Sequence, residues 1–259
     1  NDNYLSGITL ADATDGSGGL ASNYQLPTLD VANAGAVITP ATLTVSLVNT
    51  GVTKTYDGTL NAPPGFTPDF SVSGLLSGDA ATLLYSDHVY DSANVASASQ
   101  INVSGVSLSG ITSSGSSVPS DYTLGGVSTA TVSAVITKAP LTVTANDDAK
   151  FVTQSDANGF LGATYEGFVN AEDSTDLGGS LSISRSNAGV DTAGSYAGVL
   201  VPSGWTSDNY AISFVNGDYT VVPPDELLVR ITSVSNAYGT DTNYAISSAE
   251  YYDGSNVVS

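Results

Sequence analysis

The stretch Ile136-Thr137-Lys138-Ala139-Pro140-Leu141-Thr142-Val143 decides the fold, because the chain carries an earlier version of it in Ile38-Thr39-Pro40-Ala41-Thr42-Leu43-Thr44-Val45. The two lie 98 residues apart. The same offset relates Ser6-Gly7-Ile8-Thr9-Leu10 to Ser104-Gly105-Val106-Ser107-Leu108, and Asn23-Tyr24 to Asp121-Tyr122. Three landmarks in one gapless register mark an internal repeat of domain size. A looser copy follows. Asn209-Tyr210-Ala211-Ile212 repeats the Asn/Asp-Tyr signature, and Val222-Pro223-Pro224 with Leu227-Leu228-Val229 repeats the junction at an offset of 86.

The phase of the repeat predicts four pieces. Residues 1–40 read as the closing part of one module, 41–138 and 139–224 as complete modules, and 225–259 as the opening of a further one. The chain thus reads as a window on a longer array. Proline fixes φ, so Thr39-Pro40 and Val222-Pro223-Pro224 read as short, stiff crossovers.

Inside the modules the apolar period is two. Leu43-Thr44-Val45-Ser46-Leu47, Leu141-Thr142-Val143-Thr144-Ala145 and Leu181-Ser182-Ile183-Ser184 alternate as half-buried strands do. Turn signals separate these runs, among them Tyr56-Asp57-Gly58, Ser77-Gly78-Asp79 and Asp253-Gly254. Asn216-Gly217, between Ile212–Val215 and Tyr219–Val222, reads as a β-hairpin. One short helical turn is expected around residues 77–84. Glu occurs four times and Lys three times against 21 Asp, which favours strands and turns over helices. The expected class is all-β: small β-sandwich or β-grasp-like modules in tandem, arranged as an elongated rod.

Composition excludes several functions. Of 259 residues only five are Lys or Arg, and 25 are Asp or Glu, a formal net charge of −20. Such a chain repels nucleic acid. There is no cysteine and a single histidine, so disulfide frameworks, thiolate nucleophiles and Cys- or His-rich metal sites are excluded. No apolar run has the length of a membrane helix. The hydrophobic fraction of 41% is enough for packed cores.

The landmarks resemble the tandem repeat domains of large bacterial surface adhesins of the filamentous-haemagglutinin kind. Residues 41–138 resemble the YDG type through Leu43-Thr44-Val45, Lys54-Thr55-Tyr56-Asp57-Gly58-Thr59, Val72-Ser73-Gly74-Leu75-Leu76-Ser77-Gly78-Asp79, Asp121-Tyr122-Thr123-Leu124 and Ile136-Thr137-Lys138. Residues 139–224 resemble the MBG type through Leu141-Thr142-Val143-Thr144-Ala145, Tyr165-Glu166-Gly167-Phe168-Val169-Asn170, Ala193-Gly194-Ser195-Tyr196 and Asn209-Tyr210-Ala211-Ile212. Phe151-Val152 departs from the Tyr-Gly usual there. Ala237-Tyr238-Gly239 is similar to the opening of another such module. The resemblance implies a secreted, cell-surface or matrix protein that works in adhesion or biofilm, with no enzymatic activity and no catalytic residues. Its expected role is a stalk that presents a binding tip. A filament of chains completed by strand exchange is the alternative, and a carbohydrate-binding module the minor one. Expected partners are neighbouring modules, identical chains, and surface glycans or matrix polysaccharide, without membrane insertion.

His88 must serve any Ser-His-Asp triad, yet it sits in an alternating strand run. Asn146, Asp147 and Asp148, after the first strand of the third module, are calcium candidates, because calcium takes six to eight oxygen ligands. Asp156, Asp173 and Asp176 are further acids without a defined set, and no other cofactor is expected. Trp205, placed in a loop, and Tyr251 and Tyr252 are candidate exposed aromatics for a ligand. Lys54 and Lys150 are candidates for a lysine cross-link, expected to be too exposed for it. The repeated Tyr24, Tyr122 and Tyr210 are expected to pack in each module's core with the hydroxyl bonded to a turn backbone.

Overall fold

Regular alternation becomes regular strand. Residues Thr129–Thr137 bury Ala130, Val132, Ala134 and Ile136 and expose the residues between them. The computed structural model describes residues 7–29, 37–231, 241 and 244–259. The Ala237-Tyr238-Gly239 landmark lies outside the described residues.

In chain order the strands begin with β1 (Ala41–Thr42), β2 (Thr44–Leu47), β3 (Val52–Thr55), β4 (Phe70–Ser73), β5 (Asp79–Leu84), β6 (Asp87–Tyr90), β7 (Gln100–Ser104), β8 (Ser107–Ser113), β9 (Tyr122–Thr123) and β10 (Thr129–Thr137). They continue with β11 (Ala139–Ala145), β12 (Asp148–Phe151), β13 (Ala163–Glu166), β14 (Gly178–Arg185), β15 (Gly194–Thr206), β16 (Tyr210–Val215) and β17 (Gly217–Val222). The last are β18 (Leu227–Ile231), β19 (Ile246–Tyr252) and β20 (Val257–Val258). Helical structure among the described residues is limited to three single 3-10 turns. The fold is all-β.

Two compact units form. One takes the chain up to Asn49 with Thr67–Asp87 and Val103–Thr131; the other takes Thr50–Phe66, His88–Asn102 and the chain from Val132 onward. In the first unit β1 pairs in parallel with β9, β2 antiparallel with β4, and β5 antiparallel with β8. In the second, three sheets run β3-β10-β7-β6, β13-β11-β16 and β12-β17-β15-β14, and β18-β19-β20 forms a fourth.

The repeat in sequence is a repeat in pairing. Opening strand β11 lies parallel to closing strand β16, with Ala139 opposite Tyr210. Opening strand β1 lies parallel to β9, with Ala41 opposite Tyr122. The next strand of each module repeats the arrangement. Strand β12 lies parallel to β17 with Lys150 opposite Val221, and β3 parallel to β10 with Lys54 opposite Ile136. The inward residues follow: Leu43, Leu141, Val143 and Ala145 are fully buried. Each of these leucines and the valine contributes roughly 1.5–3 kcal/mol by leaving water.

Two local expectations are corrected. Asn216-Gly217 does not close a hairpin. Strand β16 joins β11, whereas β17 joins β12 and β15, so the turn moves the chain from one sheet to another. Glycine is required there because a Cβ at 217 would strike the Ala145 carbonyl. Residues 79–84 are strand β5, not a helical turn, with inward and outward residues alternating throughout.

Candidate functional site

Residues 41–138 and 139–224 each tie their closing tyrosine to a carboxylate by the same construction. After β4 comes Gly74, and after β13 comes Gly167. Both have positive φ, +94° and +115°, and in both a Cβ would strike the backbone carbonyl of the opening strand, at Thr42 and Pro140. Two residues on, a backbone N–H donates to the tyrosine hydroxyl: Leu76 to Tyr122 at 3.2 Å, and Val169 to Tyr210 at 3.1 Å. Three residues further, a carboxylate accepts the hydroxyl's own proton: Asp79 from Tyr122, and Glu172 from Tyr210 at 2.6 Å. Both rings are buried, 5% and 2% exposed. Burial and the bond to Glu172 push the Tyr210 hydroxyl up to about 12. Hydrogen bonds from Ser113, Tyr122 and Ser117 hold the Asp79 carboxyl below the usual range.

The expected core role of the repeated tyrosine thus holds for Tyr122 and Tyr210. It fails for Tyr24, which is 69% exposed. The carboxylates were not picked out by sequence reading. The available signal was the spacing of Gly74 to Asp79 and of Gly167 to Glu172, five residues in each.

Around Tyr210 the arrangement carries a second tyrosine. Tyr56, from the Tyr56-Asp57-Gly58 turn after β3, donates its hydroxyl to the other oxygen of Glu172 at 2.6 Å. Its ring meets Tyr210 edge-on at 5.5 Å, and Phe168 meets Tyr210 the same way. Burial and then Glu172 raise the Tyr56 hydroxyl well above its ordinary value. Beside it, Asn209 accepts from the Val95 N–H at 3.0 Å and donates to Asn94 at 3.0 Å. Residues 50–66 and 88–102 are thereby joined to residues 139–224 through one carboxylate and one carboxamide.

The two lysines are buried, contrary to expectation, and both are paired. Lys54 donates to Asp57 and to the Thr59 carbonyl, each at 2.7 Å, and sits 5.2 Å from the centre of the Tyr90 ring. Lys150 bonds Asp156 at 2.9 Å and Asp191 at 2.5 Å. Arg185 joins them, donating to Asp156 at 2.8 Å while stacking on Tyr219. Burial alone would lower the Lys150 ammonium, but bonds to Asp191 and Asp156 reverse this and raise it. A charged, raised ammonium is a poor nucleophile, so the arrangement is an ion-pair network.

The calcium candidates do not converge. Asn146 donates to the Leu161 carbonyl, Asp147 accepts from the Asp218 N–H, and Asp148 is buried against Arg230 at 2.6 Å. Asp156 serves Lys150 and Arg185, and Asp173 and Asp176 cap a 3-10 turn. Among the described residues no group of three or more acidic or histidine side chains is placed to hold a metal.

The aromatic candidates are also rearranged. Trp205 lies in β15 rather than a loop, half-buried, donating to the Tyr165 hydroxyl at 3.0 Å. Tyr252 is 6% exposed and packs on Phe151, so it is a core residue. Tyr251 is exposed and bonds Asp225. His88 is half-buried in β6, its ring 5.5 Å from Phe66.

Comparison with known families finds two domain types along the chain. Residues 39–131 match the YDG domain, and residues 141–220 match the MBG domain (YGX type). The chain carries one domain of each family in tandem. No curated protein and no solved structure matches it.

Proposed function

We propose that this YDG–MBG tandem is a structural repeat segment of a secreted bacterial surface adhesin, which spaces a binding tip from the cell and carries tension to it. The reading rests on one observation: each domain closes by pairing its opening strand in parallel with its closing strand. Tension on the two ends of a domain pulls parallel neighbours in opposite directions along their length. The ladder bonds between Ala139–Thr144 and Tyr210–Val215 are then sheared together instead of opened one at a time. The second parallel pair, β12 with β17, stands behind the first.

Single-molecule stretching tests this directly. The chain has no cysteine, so pulling points can be introduced at chosen positions. Pulling through the ends of the MBG domain should require a much larger force than pulling through points that peel β14 from β15. Equal forces in the two geometries would remove the support for the tension-bearing role. Fractionation of the source cells with antibodies to residues 41–224 checks the surface location.

Assembly of identical chains by strand exchange is the second reading, favoured by β18. Leu227 and Val229 correspond in sequence to Leu141 and Val143, yet they are 61% and 42% exposed where the latter are buried. Sedimentation over a wide concentration range tests it. A monomer throughout would leave only the stalk.

A further inference from the structure

The tyrosine seat exists twice, and among the described residues one copy is filled by a second ring and the other is not. In the MBG domain the seat consists of Ala139 on the opening strand, the Val169 N–H, Glu172, Asn209 and Tyr210. Its occupant is Tyr56 of the preceding domain, with Val95 bonded to Asn209 beside it. In the YDG domain the same parts recur in the same order: Ala41, the Leu76 N–H, Asp79, Asp121 and Tyr122. There, a cavity of about 300 Å3 opens against Tyr122, bounded by Thr39, Pro40, Ala41, Leu76, Asp121 and Tyr122. That is about twice the ~150 Å3 that accommodates a benzene ring. Ser117, on its wall, reaches Asp79 with its hydroxyl.

We infer that this cavity is the docking site for the turn tyrosine of another YDG-type domain placed directly before residue 38. The incoming ring meets Tyr122 edge-on, as Tyr56 meets Tyr210. Its hydroxyl bonds Ser117, which links it to Asp79, and a backbone N–H from the same domain donates to Asp121, as Val95 does to Asn209. One plug thereby serves two kinds of socket. A YDG domain can precede either a YDG or an MBG domain, and the Tyr-Asp-Gly turn is the coupler. The inference rests on the array reading but not on its mechanical part, which the stretching experiment tests separately.

The test duplicates residues 41–138 in front of Ala41 in place of residues 1–40, so that Lys138 is followed by Ala41 as it is normally followed by Ala139. A single Ser120→Cys in the second copy places a thiol on the cavity rim. Maleimide labelling of that thiol should be at least tenfold slower than in the 259-residue chain carrying the same change. Tyr56→Ala in the added copy alone should restore the fast rate. An unchanged rate with the added copy folded, shown by cooperative melting, overturns the proposal. If the added copy does not fold, p-cresol decides. Titrated as the bare side chain into the 259-residue protein, it should shift the amide resonances of Leu76 and Tyr122, and no shift up to its solubility limit overturns the proposal.

Discussion

Glu172 is one of only four glutamates, and it holds two tyrosine hydroxyls at 2.6 Å each. Hydrogen bonds to a charged acceptor are each worth about 1.5–3 kcal/mol. Glu172→Gln keeps one acceptor oxygen and adds an unwanted donor, so it should cost about 2 kcal/mol, whereas Tyr56→Phe should cost about 1 kcal/mol. Thermal melting followed at Trp205, the single tryptophan, checks both. A double mutant that costs no more than Glu172→Gln alone would show that they act through one bond. Lys150→Met leaves Asp156 and Asp191 beside Arg185 and should cost about 2 kcal/mol, less than a fully buried pair because Asp191 is half-exposed. The intact mass of the unmodified chain should equal that of its sequence. A deficit of one water would mean that Lys150 or Lys54 has become an amide.

Much of the strand pattern could be read in sequence, but little of the pairing could. Alternation in β10 and β11 shows which residues turn inward, and it says nothing about the neighbour. The hairpin expected at Asn216-Gly217 is the example: the turn dipeptide is real, but the strands on either side find partners in different sheets. The tyrosine seat was half legible, since Tyr122 and Tyr210 stand out while Asp79 and Glu172 are separated from them by 43 and 38 residues. Lys54 and Lys150 were misplaced because burying a lysine is costly until its partners are known, and Asp191 lies 41 residues from Lys150. At this scale the parallel pairs invite a specific test. Ser213→Pro removes a donor of the β11–β16 ladder and orphans its acceptor on β11, and should destabilise the MBG domain by about 2 kcal/mol or more. Ile212→Pro, whose N–H points away from β11, should cost less; equal losses in urea titrations would argue against a shared ladder.

For the whole molecule the dominant quantity is the net charge of −20. Like charges repel in the folded state, so added salt should raise the melting temperature by screening. Millimolar calcium should raise it only modestly and by no more than magnesium does, because no ligand set converges among the described residues. A much larger effect of calcium would point to a specific ion site. Acid works through particular carboxylates. Asp79 is lowered by Ser113, Tyr122 and Ser117, and Asp191 by Lys150. Their contribution is complete above the ordinary value of 3.8 and is lost as pH falls through the lower folded values. The melting temperature should therefore hold at neutral pH and drop below about pH 4. In alkali, Tyr210 acts in the opposite sense. Its stabilisation is complete below the ordinary value of 10 and disappears as pH rises through about 12.

The placement of the basic residues also governs how the chain meets trypsin, which cuts only after lysine or arginine. Lys54, Lys150 and Arg185 are buried, Arg230 is half-covered while it holds Asp148, and Lys138 alone is exposed. Digestion at four of the five cleavage points must therefore wait for a local or global opening. The survival time of a folded sample in the enzyme then becomes a clock for how often each domain comes apart.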